Sequence, residues 1–346
     1  MWFKNLRLFQ LLKPFDLSYE DLEAQLGDYA FVPCASYEKS RLGWVSPLGD
    51  AAPDLQDSET TEEAEAEQGE AGETDSRALP QPLTHVVGDF IMFCAQKQDR
   101  LLPATVVREA TAERVAELEA RQGRKIYRKE RREIQDDVYN SLLPRAFTRS
   151  SRTYAYISRS EQLLVVDAAS PAKAEELINL LRDTLGTFPV AIPDSKRAPS
   201  DVMTRWLNDG KASDHFEIHD ECELFNPLDV ANVIRCKGQD LEGDEIRTHL
   251  QAGKRVRQLA VQWKHLLSCS IAEDLSIKKL RFDQVKEEAD SQNTGSLAEK
   301  FDQEFALMTL ELQGFFRDYF NAFGGLDDPE KKVLPDNRNK EDYVKV

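Results

Sequence analysis

"RTYAYISRSEQLLVVDAASPAKAEELINLLRDTLG", residues 152–186, decides the fold class. Residues 152–157 and 162–167 alternate in side-chain character around a short turn, which predicts an antiparallel β-hairpin. Ser170 then offers a helix N-cap, a proline follows at the first helical position, and Gly186 stands just past the expected helix end. A hairpin that runs directly into a helix favours an α+β fold with antiparallel sheets.

The remaining elements follow from the same criteria. Strands are predicted at 2–12 and 84–96, a hairpin at 268–282, and helices at 17–28, 104–142, 243–266 and 297–323. Ser18 and Asp21 form the expected capping box of the first helix. A break near Gly123 makes 104–142 either a helical hairpin or one long bent helix, with Ile134, Val138 and Leu142 on a single apolar stripe.

These elements predict five successive parts of the chain. They are an N-terminal α+β part (1–102) with a disordered acidic insert at about 50–80, a helical extension (103–148), a hairpin–helix part (149–200), a C-terminal α+β part with a basic helix and a hairpin (201–324), and a polar tail (325–346).

Charge is unevenly distributed along the 346 residues. Residues 54–75 contain ten acidic residues and no basic one, and without them the formal net charge of −17 becomes −7. Residues 121–152 carry ten Lys or Arg against four acids. An acidic chain with basic segments is compatible with binding a polyanion on one face. Five scattered cysteines without a CxxC pair, and no apolar run long enough to cross a bilayer, predict a cytoplasmic protein with reduced thiols.

The segment 243–266 is the strongest candidate for phosphate contact. On a helical wheel Arg247, Lys254, Arg257 and Lys264 lie within about a quarter turn of one another. The same sign recurs before the segment, and after it at the predicted hairpin, in Arg235, Lys237, Lys278, Lys279 and Arg281. A basic flank on a core-packed helix would look the same, so the pattern alone leaves both interpretations open.

Catalytic and cofactor motifs are absent from the sequence. The Gly-Lys pair at 253–254 lacks the first glycine and the Ser/Thr of a P-loop, and no Gly-x-Ser-x-Gly elbow occurs. His215, His219 and Cys222 could nominally bind zinc, but no fourth ligand is near and their surroundings alternate like a strand. We therefore expect no catalytic residue, no cofactor and no metal.

Five segments together resemble the RdgC family of bacterial recombination-associated proteins: "WFKNL" (2–6), "FVPC…GWVSPLG" (31–49), "SLLPRAF" (141–147), "VIRCKGQDL" (233–241) and "HLQAGKRVRQLAVQW" (249–263). The resemblance implies horseshoe-shaped subunits that pair into a ring dimer with a basic hole. It implies binding of double-stranded DNA, and more weakly of single-stranded DNA, with little sequence preference and without catalysis. It also implies restraint of RecA-type recombinase and a nucleoid-associated, cytoplasmic location.

The resemblance also implies roles for particular residues. Phe147 is similar to an aromatic residue that the family uses at a subunit contact, and Lys237 and Gln239 correspond to residues near the gate or lumen of the ring. Gly238 departs from the family pattern, where a second basic residue is expected, and the acidic insert has no counterpart in that pattern. Clustering of charge, independently of the resemblance, adds Arg145, Arg149, Arg247, Lys254, Arg257 and Lys264 as candidate phosphate contacts.

Two other functions remain open from the sequence. A metal-dependent nuclease or phosphoesterase would use some of the many Asp and Glu residues. A protein-interaction scaffold would present helix 104–142 to a partner.

Overall fold

A computed structural model describes residues 2–49, 81–282 and 296–327. Its strands are β1 Leu6–Leu11, β2 Ser40–Val45, β3 Thr84–Val87, β4 Phe90–Leu101, β5 Phe147–Ser158, β6 Leu163–Asp167, β7 Val190–Ala191, β8 Phe216–Asn226, β9 Asp229–Lys237, β10 Arg255–Trp263, β11 Leu267–Ala272 and β12 Ile277–Arg281. Its α-helices are α1 Tyr19–Asp28, α2 Ala104–Gln122, α3 Arg128–Leu142, α4 Pro171–Leu185, α5 Pro199–Asp209, α6 Asp244–Gln251 and α7 Leu297–Ala322. The acidic insert and nearly all of the polar tail lie outside the described residues.

All twelve strands belong to one antiparallel sheet, which confirms the predicted α+β class. The strand order is β2-β4-β5-β6-β1-β12-β11-β10-β8-β9, with β3 paired to β4 and β7 paired to β1. The two halves of the sheet meet where Leu6 of β1 stands opposite Ile277 of β12. The Leu280 N–H donates to the Lys4 carbonyl oxygen at 2.9 Å beside that junction. The division into five parts stays a prediction.

The predicted hairpin and helix of residues 152–186 are confirmed. β5 and β6 pair in antiparallel register, and the Ser170 hydroxyl accepts from the Lys173 N–H at the start of α4. Leu177 and Leu181 of α4 are buried in a core that also takes Leu22 of α1, whose predicted Ser18 cap is present. Burial of each such side chain contributes about 1.5–3 kcal/mol. α1 and α4 therefore cover one face of the N-terminal half of the sheet.

The opposite face of the sheet is covered by α5, α6 and α7, and it holds the larger core. α7 begins with a capping box between Ser296 and Glu299, and it buries an aromatic series that includes Phe305, Phe315 and Tyr319. The predicted helix 297–323 is therefore confirmed. α7 is amphipathic, and none of the described helices is long and apolar enough to cross a membrane.

α2 and α3 form a helical hairpin, which decides between the two alternatives for 104–142. Gly123 adopts a left-handed conformation with φ 65° at the end of α2, where a residue with a side chain would be strained. The predicted stripe of Ile134, Val138 and Leu142 faces α2 along a groove, but no residue of α3 is fully buried. The hairpin thus packs mainly on itself.

The predicted helix 243–266 is wrong. α6 ends at Gln251, Gly253 has a φ of 88°, and the chain then enters β10. Val256, Leu259, Val261 and Trp263 are buried, and a register irregularity opposite β8 accounts for the three-residue step after Val256. That irregular strand spacing resembles a helical period, which explains the wrong prediction.

Candidate nucleic-acid interface

The C-terminal half of the sheet leaves one face without a covering helix among the described residues. On β8, β9, β10 and β12, alternate side chains enter the core beneath α5, α6 and α7, and the others point away from it. We call the side of β8–β12 that points away from this core the open face. Its cations are Arg235, Lys237, Arg257, Lys278, Lys279 and Arg281. Arg257 and Lys279 stand at register irregularities of β10 and β12, and their contacts with Glu223 and Glu221 put them on this side although they break the alternation.

Carboxylates are interleaved with the cations of the open face. Glu223 Oε2 accepts from Arg235 Nε at 2.8 Å, and Glu223 Oε1 lies 3.6 Å from Arg257 Nη1. Glu221 is bonded to Lys279 and lies 3.8 Å from Lys237 Nζ. A phosphate can therefore bind these cations only by replacing a carboxylate or by approaching from the solvent side.

The exposure of these groups favours approach from solvent. The side chains of Arg235 and Lys237 are 77% and 81% exposed, whereas those of Glu221 and Glu223 are 23% and 19% exposed. Arg235 and Lys237 therefore form an outer layer of the face, and the two glutamates lie in an inner layer together with Arg257, whose side chain is 23% exposed. Arg257 Cζ also lies 4.5 Å from the ring centre of Phe225, which holds its guanidinium against the sheet.

The four cations assigned to one helical face are separated in the structure. Arg247 lies on α6, 3.9 Å from Asp244, and Lys254 Nζ donates to Asn232 Oδ1 at 2.6 Å before β10 begins. Lys264 follows β10, so ten residues of nearly extended chain put it about 33 Å from Lys254. These residues do not form one phosphate-binding patch, and only Arg257 belongs to the open face.

Lys264 is tied to α7. Its Nζ lies 2.8 Å from Asp318 Oδ2, and Trp263 Nε1 donates to the same oxygen at 3.0 Å. Burial alone would raise the pKa of Asp318, but the hydrogen bonds from Lys264 and Trp263 hold that pKa below its ordinary value. The geometry of Lys264 is that of a structural ion pair.

Gln239 follows β9 at a turn on the edge of the sheet. The turn is made by Gly238, whose φ of 63° is left-handed. Gln239 Nε2 donates to Glu245 Oε2 at 2.6 Å, which joins this turn to α6. Lys237 and Gln239 are therefore close to each other at one end of the open face.

The turn that contains Arg145 lies elsewhere on the molecule. A single 3₁₀ turn, Leu143–Arg145, buries Leu143 and leads into β5 at Phe147, whose side chain is 85% exposed. Arg149 follows on β5, exposed and opposite Asp99. β5 and β10 are five strand spacings apart, about 24 Å along the sheet. Arg145 and Arg149 are therefore not part of the open face.

The zinc hypothesis for His215, His219 and Cys222 gains no support. His219 and Cys222 lie on β8, where His219 Nδ1 is 2.8 Å from Asp220 Oδ1 and burial raises the pKa of the Cys222 thiol to about 12. No group of three or more His, Cys, Asp or Glu within 2–49, 81–282 and 296–327 is arranged to hold a metal ion.

The sequence analysis noticed the cations of the open face but did not predict that they lie together on one side of the sheet. Arg235, Lys278, Lys279 and Arg281 carried the right charge but were not chosen as site residues. Alternation on β9 was the available signal for Arg235, whereas Lys278 and Lys279 are adjacent and share this side only because the register of β12 is irregular. The sequence could not show which side of those strands lacks a helix.

Comparisons with known proteins match almost the whole chain. A family model described as "RdgC: Putative exonuclease, RdgC" matches residues 1–61 and 52–326. A protein from Aeromonas hydrophila subsp. hydrophila, named "Recombination-associated protein RdgC", is 40% identical over 326 residues, which cover 94% of this chain and 98% of that protein. Proteins of the same name from Proteus mirabilis and Pseudomonas aeruginosa PAO1 are each 38% identical over 94–95% of this chain and 99% of their own length. The chain belongs to the RdgC family of recombination-associated proteins.

Proposed function

We propose that this protein binds duplex DNA without reading its sequence, encircles it as a ring-shaped homodimer, and restrains RecA-type recombinase. The open face is the observation that carries the proposal. Six cations on β9, β10 and β12 share one side of five neighbouring strands, and most of them are exposed; phosphate neutralisation is what sequence-independent binding requires. The relatives' name, "Recombination-associated protein RdgC", supports a role in recombination.

The remaining charge of the chain supports enclosure over side-on binding. The chain is strongly acidic, so an outer surface would repel DNA while the open face attracts it. Two open faces turned toward one duplex would explain how a protein of net charge −17 holds a polyanion. Single-stranded DNA has a lower charge density and should bind more weakly.

Phe147 is the proposed contact between subunits. Its ring is exposed at the start of β5, so the described part of the subunit does not account for an apolar side chain at this position. An aromatic side chain that enters a pocket of a partner contributes about 2 kcal/mol or more.

A closed ring would cover the bound DNA along part of its length, and a recombinase filament could not extend through the covered part. We place this activity at the nucleoid, in the cytoplasm.

A titration of labelled duplex tests phosphate-based binding. The logarithm of the affinity should fall linearly with that of salt between about 50 and 200 mM, with little change when the sequence is scrambled. Lys237→Ala and Arg281→Ala should each lower the salt slope by about 0.9. Arg205→Ala is the matched control, because it removes the same charge from α5 on the opposite side of the sheet. A tenfold preference for one sequence, or equal effects of all three variants, would contradict the proposal.

Encirclement has its own test. Protein bound to a closed circular duplex should survive a high-salt wash and be lost once a nuclease cuts the circle. Loss at the same salt from circular and linear DNA would refute enclosure. A monomer in light scattering would refute it as well.

The description of the family model favours a second candidate, an exonuclease that acts on DNA. Incubation of end-labelled linear duplex with Mg²⁺ or Mn²⁺ separates the two functions. A binding protein shifts the duplex on a native gel and leaves both strands at full length on a denaturing gel. Shortening of the labelled strands by an activity that co-purifies with the protein would favour the exonuclease.

A further inference from the structure

Arg100 connects the turn before Phe147 to the rest of the subunit. It stands near the end of β4, and its Nη1 lies within 3.3–3.5 Å of three carbonyl oxygens of the turn, those of Leu143, Pro144 and Ala146. Ala146 directly precedes Phe147. One guanidinium nitrogen therefore fixes the chain on the approach to the exposed ring.

The other end of the same guanidinium is held by a second segment. Nε donates to the Ala35 carbonyl oxygen and Nη2 to the Cys34 carbonyl oxygen, each at 3.2 Å. The five carbonyl contacts use all three guanidinium nitrogens: the two N–H groups of Nη1 are shared among three oxygens, and Nε and Nη2 each donate to one. A lysine ammonium at this position would be a single point donor with three N–H groups.

The segment that holds Arg100 is itself fastened to the sheet. The Cys34 N–H donates to Gln98 Oε1 at 2.8 Å, two residues from Arg100 on β4. Glu38 Oε2 accepts from the Ala35 N–H at 2.9 Å and closes the loop. The contacts of Arg100 therefore run from a fixed anchor to the turn.

Phe147 depends on such an anchor because its ring packs on little within its own subunit. An exposed ring whose backbone is also free would lose conformational entropy when it enters a partner, and that loss weakens association. Backbone pairing with Leu101 holds Phe147 from one side only.

We propose that Arg100 is a positioning residue that holds the 143–146 turn and so presents Phe147, preorganised, to a second copy of the chain. This inference rests on the subunit contact proposed above. Arg100 acts only through Phe147, so its loss should matter to association and much less to folding.

A double-mutant cycle on the full chain tests the inference. Phe147→Ala should weaken the dimer about 30-fold, and Arg100→Lys about tenfold, as measured by sedimentation equilibrium. The double variant should be no weaker than Phe147→Ala alone, because the fork has nothing left to position. Arg159→Ala is the matched control: its guanidinium donates to the Leu17 carbonyl oxygen at 2.8 Å, away from the turn.

Hydrogen exchange supplies a readout that general destabilisation would not give. In Arg100→Lys, the Ala146 N–H, which donates to the Leu143 carbonyl oxygen, should exchange at least tenfold faster while the amides of β6 keep their protection. Arg100→Gln should repeat this pattern and serves if the lysine variant folds poorly.

Three outcomes would overturn the inference and are distinguishable. If Phe147→Ala weakens the dimer and both Arg100 variants do not, the positioning role is wrong and the subunit contact stands. If the two effects add in the double variant, Arg100 acts independently of Phe147. If Phe147→Ala leaves the dimer unchanged, the subunit contact in the proposed function fails, and the role of Arg100 fails with it.

Discussion

Replacing Glu223 by Gln should strengthen DNA binding, because this change releases two arginines of the open face at once. The Glu223 carboxylate lies between Arg235 and Arg257, and it is the inner partner of the far more exposed Arg235. The amide of glutamine keeps the shape of the side chain and removes its charge. The perturbation is therefore electrostatic.

The magnitude follows from the distances. A phosphate hydrogen-bonded to Arg235 from the solvent side would lie about 6 Å from the Glu223 carboxylate, the sum of two charge-assisted hydrogen bonds. Repulsion over that distance is ~0.7 kcal/mol in water and grows as the site loses water, so binding should tighten about 3- to 10-fold. Each additional phosphate that the freed arginines neutralise should steepen the salt slope by about 0.9.

Folding should tolerate this change. Arg257 keeps its contact with Glu273, whose Oε1 lies 3.1 Å from the Arg257 Nε, and water can solvate the exposed Arg235. We expect the free energy of unfolding to change by less than about 1 kcal/mol. A measured change in affinity can then be assigned to the open face.

The assay is a fluorescence-anisotropy titration of one duplex at several salt concentrations. Glu117→Gln is the control: it makes the same change in net charge on α2, where Glu117 pairs with Arg114 at 2.9 Å. Because salt screens charges that lie far from the bound DNA, Glu117→Gln should change the affinity by no more than about a factor of two. Equal tightening by both variants would mean that only net charge matters, and weaker binding by Glu223→Gln would mean that the open face does not meet DNA.

Two further predictions concern stability. Burial lowers the pKa of His85 from 6.5 despite the nearby Asp302, so the unfolded chain takes up a proton first and the folded state should lose stability as pH falls from about 6.5 through the lower folded-state pKa. His85→Gln should flatten the plot of urea midpoint against pH. An unchanged slope of that plot would contradict this prediction. Gly43→Ala would place Cβ 2.6 Å from Phe31 Cα and should cost about 1–3 kcal/mol in urea unfolding. In Gly27→Ala, by contrast, Cβ meets no atom within 4 Å, and a helical alanine should be neutral or stabilising; similar losses in both variants would refute the steric argument.

Local signals in the sequence predicted the elements whose boundaries depend on local chemistry. The Ser170 and Ser18 caps fix the starts of α4 and α1, and Gly123 ends α2, because these residues satisfy or terminate helical hydrogen bonds within a few positions. β9 was not predicted, since none of its residues is buried and an edge strand has little apolar alternation. β10 was predicted as a helix because an irregular strand can imitate the helical period.

The candidate site was less predictable because it depends on non-local contacts. Alternation along a strand tells which residues point the same way, but the sequence does not tell which side receives α5, α6 and α7. Arg100 gave no signal either, because all its acceptors in the turn are backbone carbonyls that any sequence would supply. Only the three-dimensional arrangement brings the 34–35 segment, the 143–146 turn and β4 together.

The glutamates of β8 have a second role that explains why a DNA-binding face would carry them. β9 is the edge strand beyond β8, and cross-strand register puts Glu221 opposite Lys237 and Glu223 opposite Arg235. Opposite charges at such positions contribute about 0.2–1 kcal/mol per pair, and exposed charges on an edge strand oppose pairing with other sheets. The same carboxylates that would compete with phosphate therefore attach β9 to the sheet, and each variant that binds DNA more tightly by losing one of them should hold β9 less firmly.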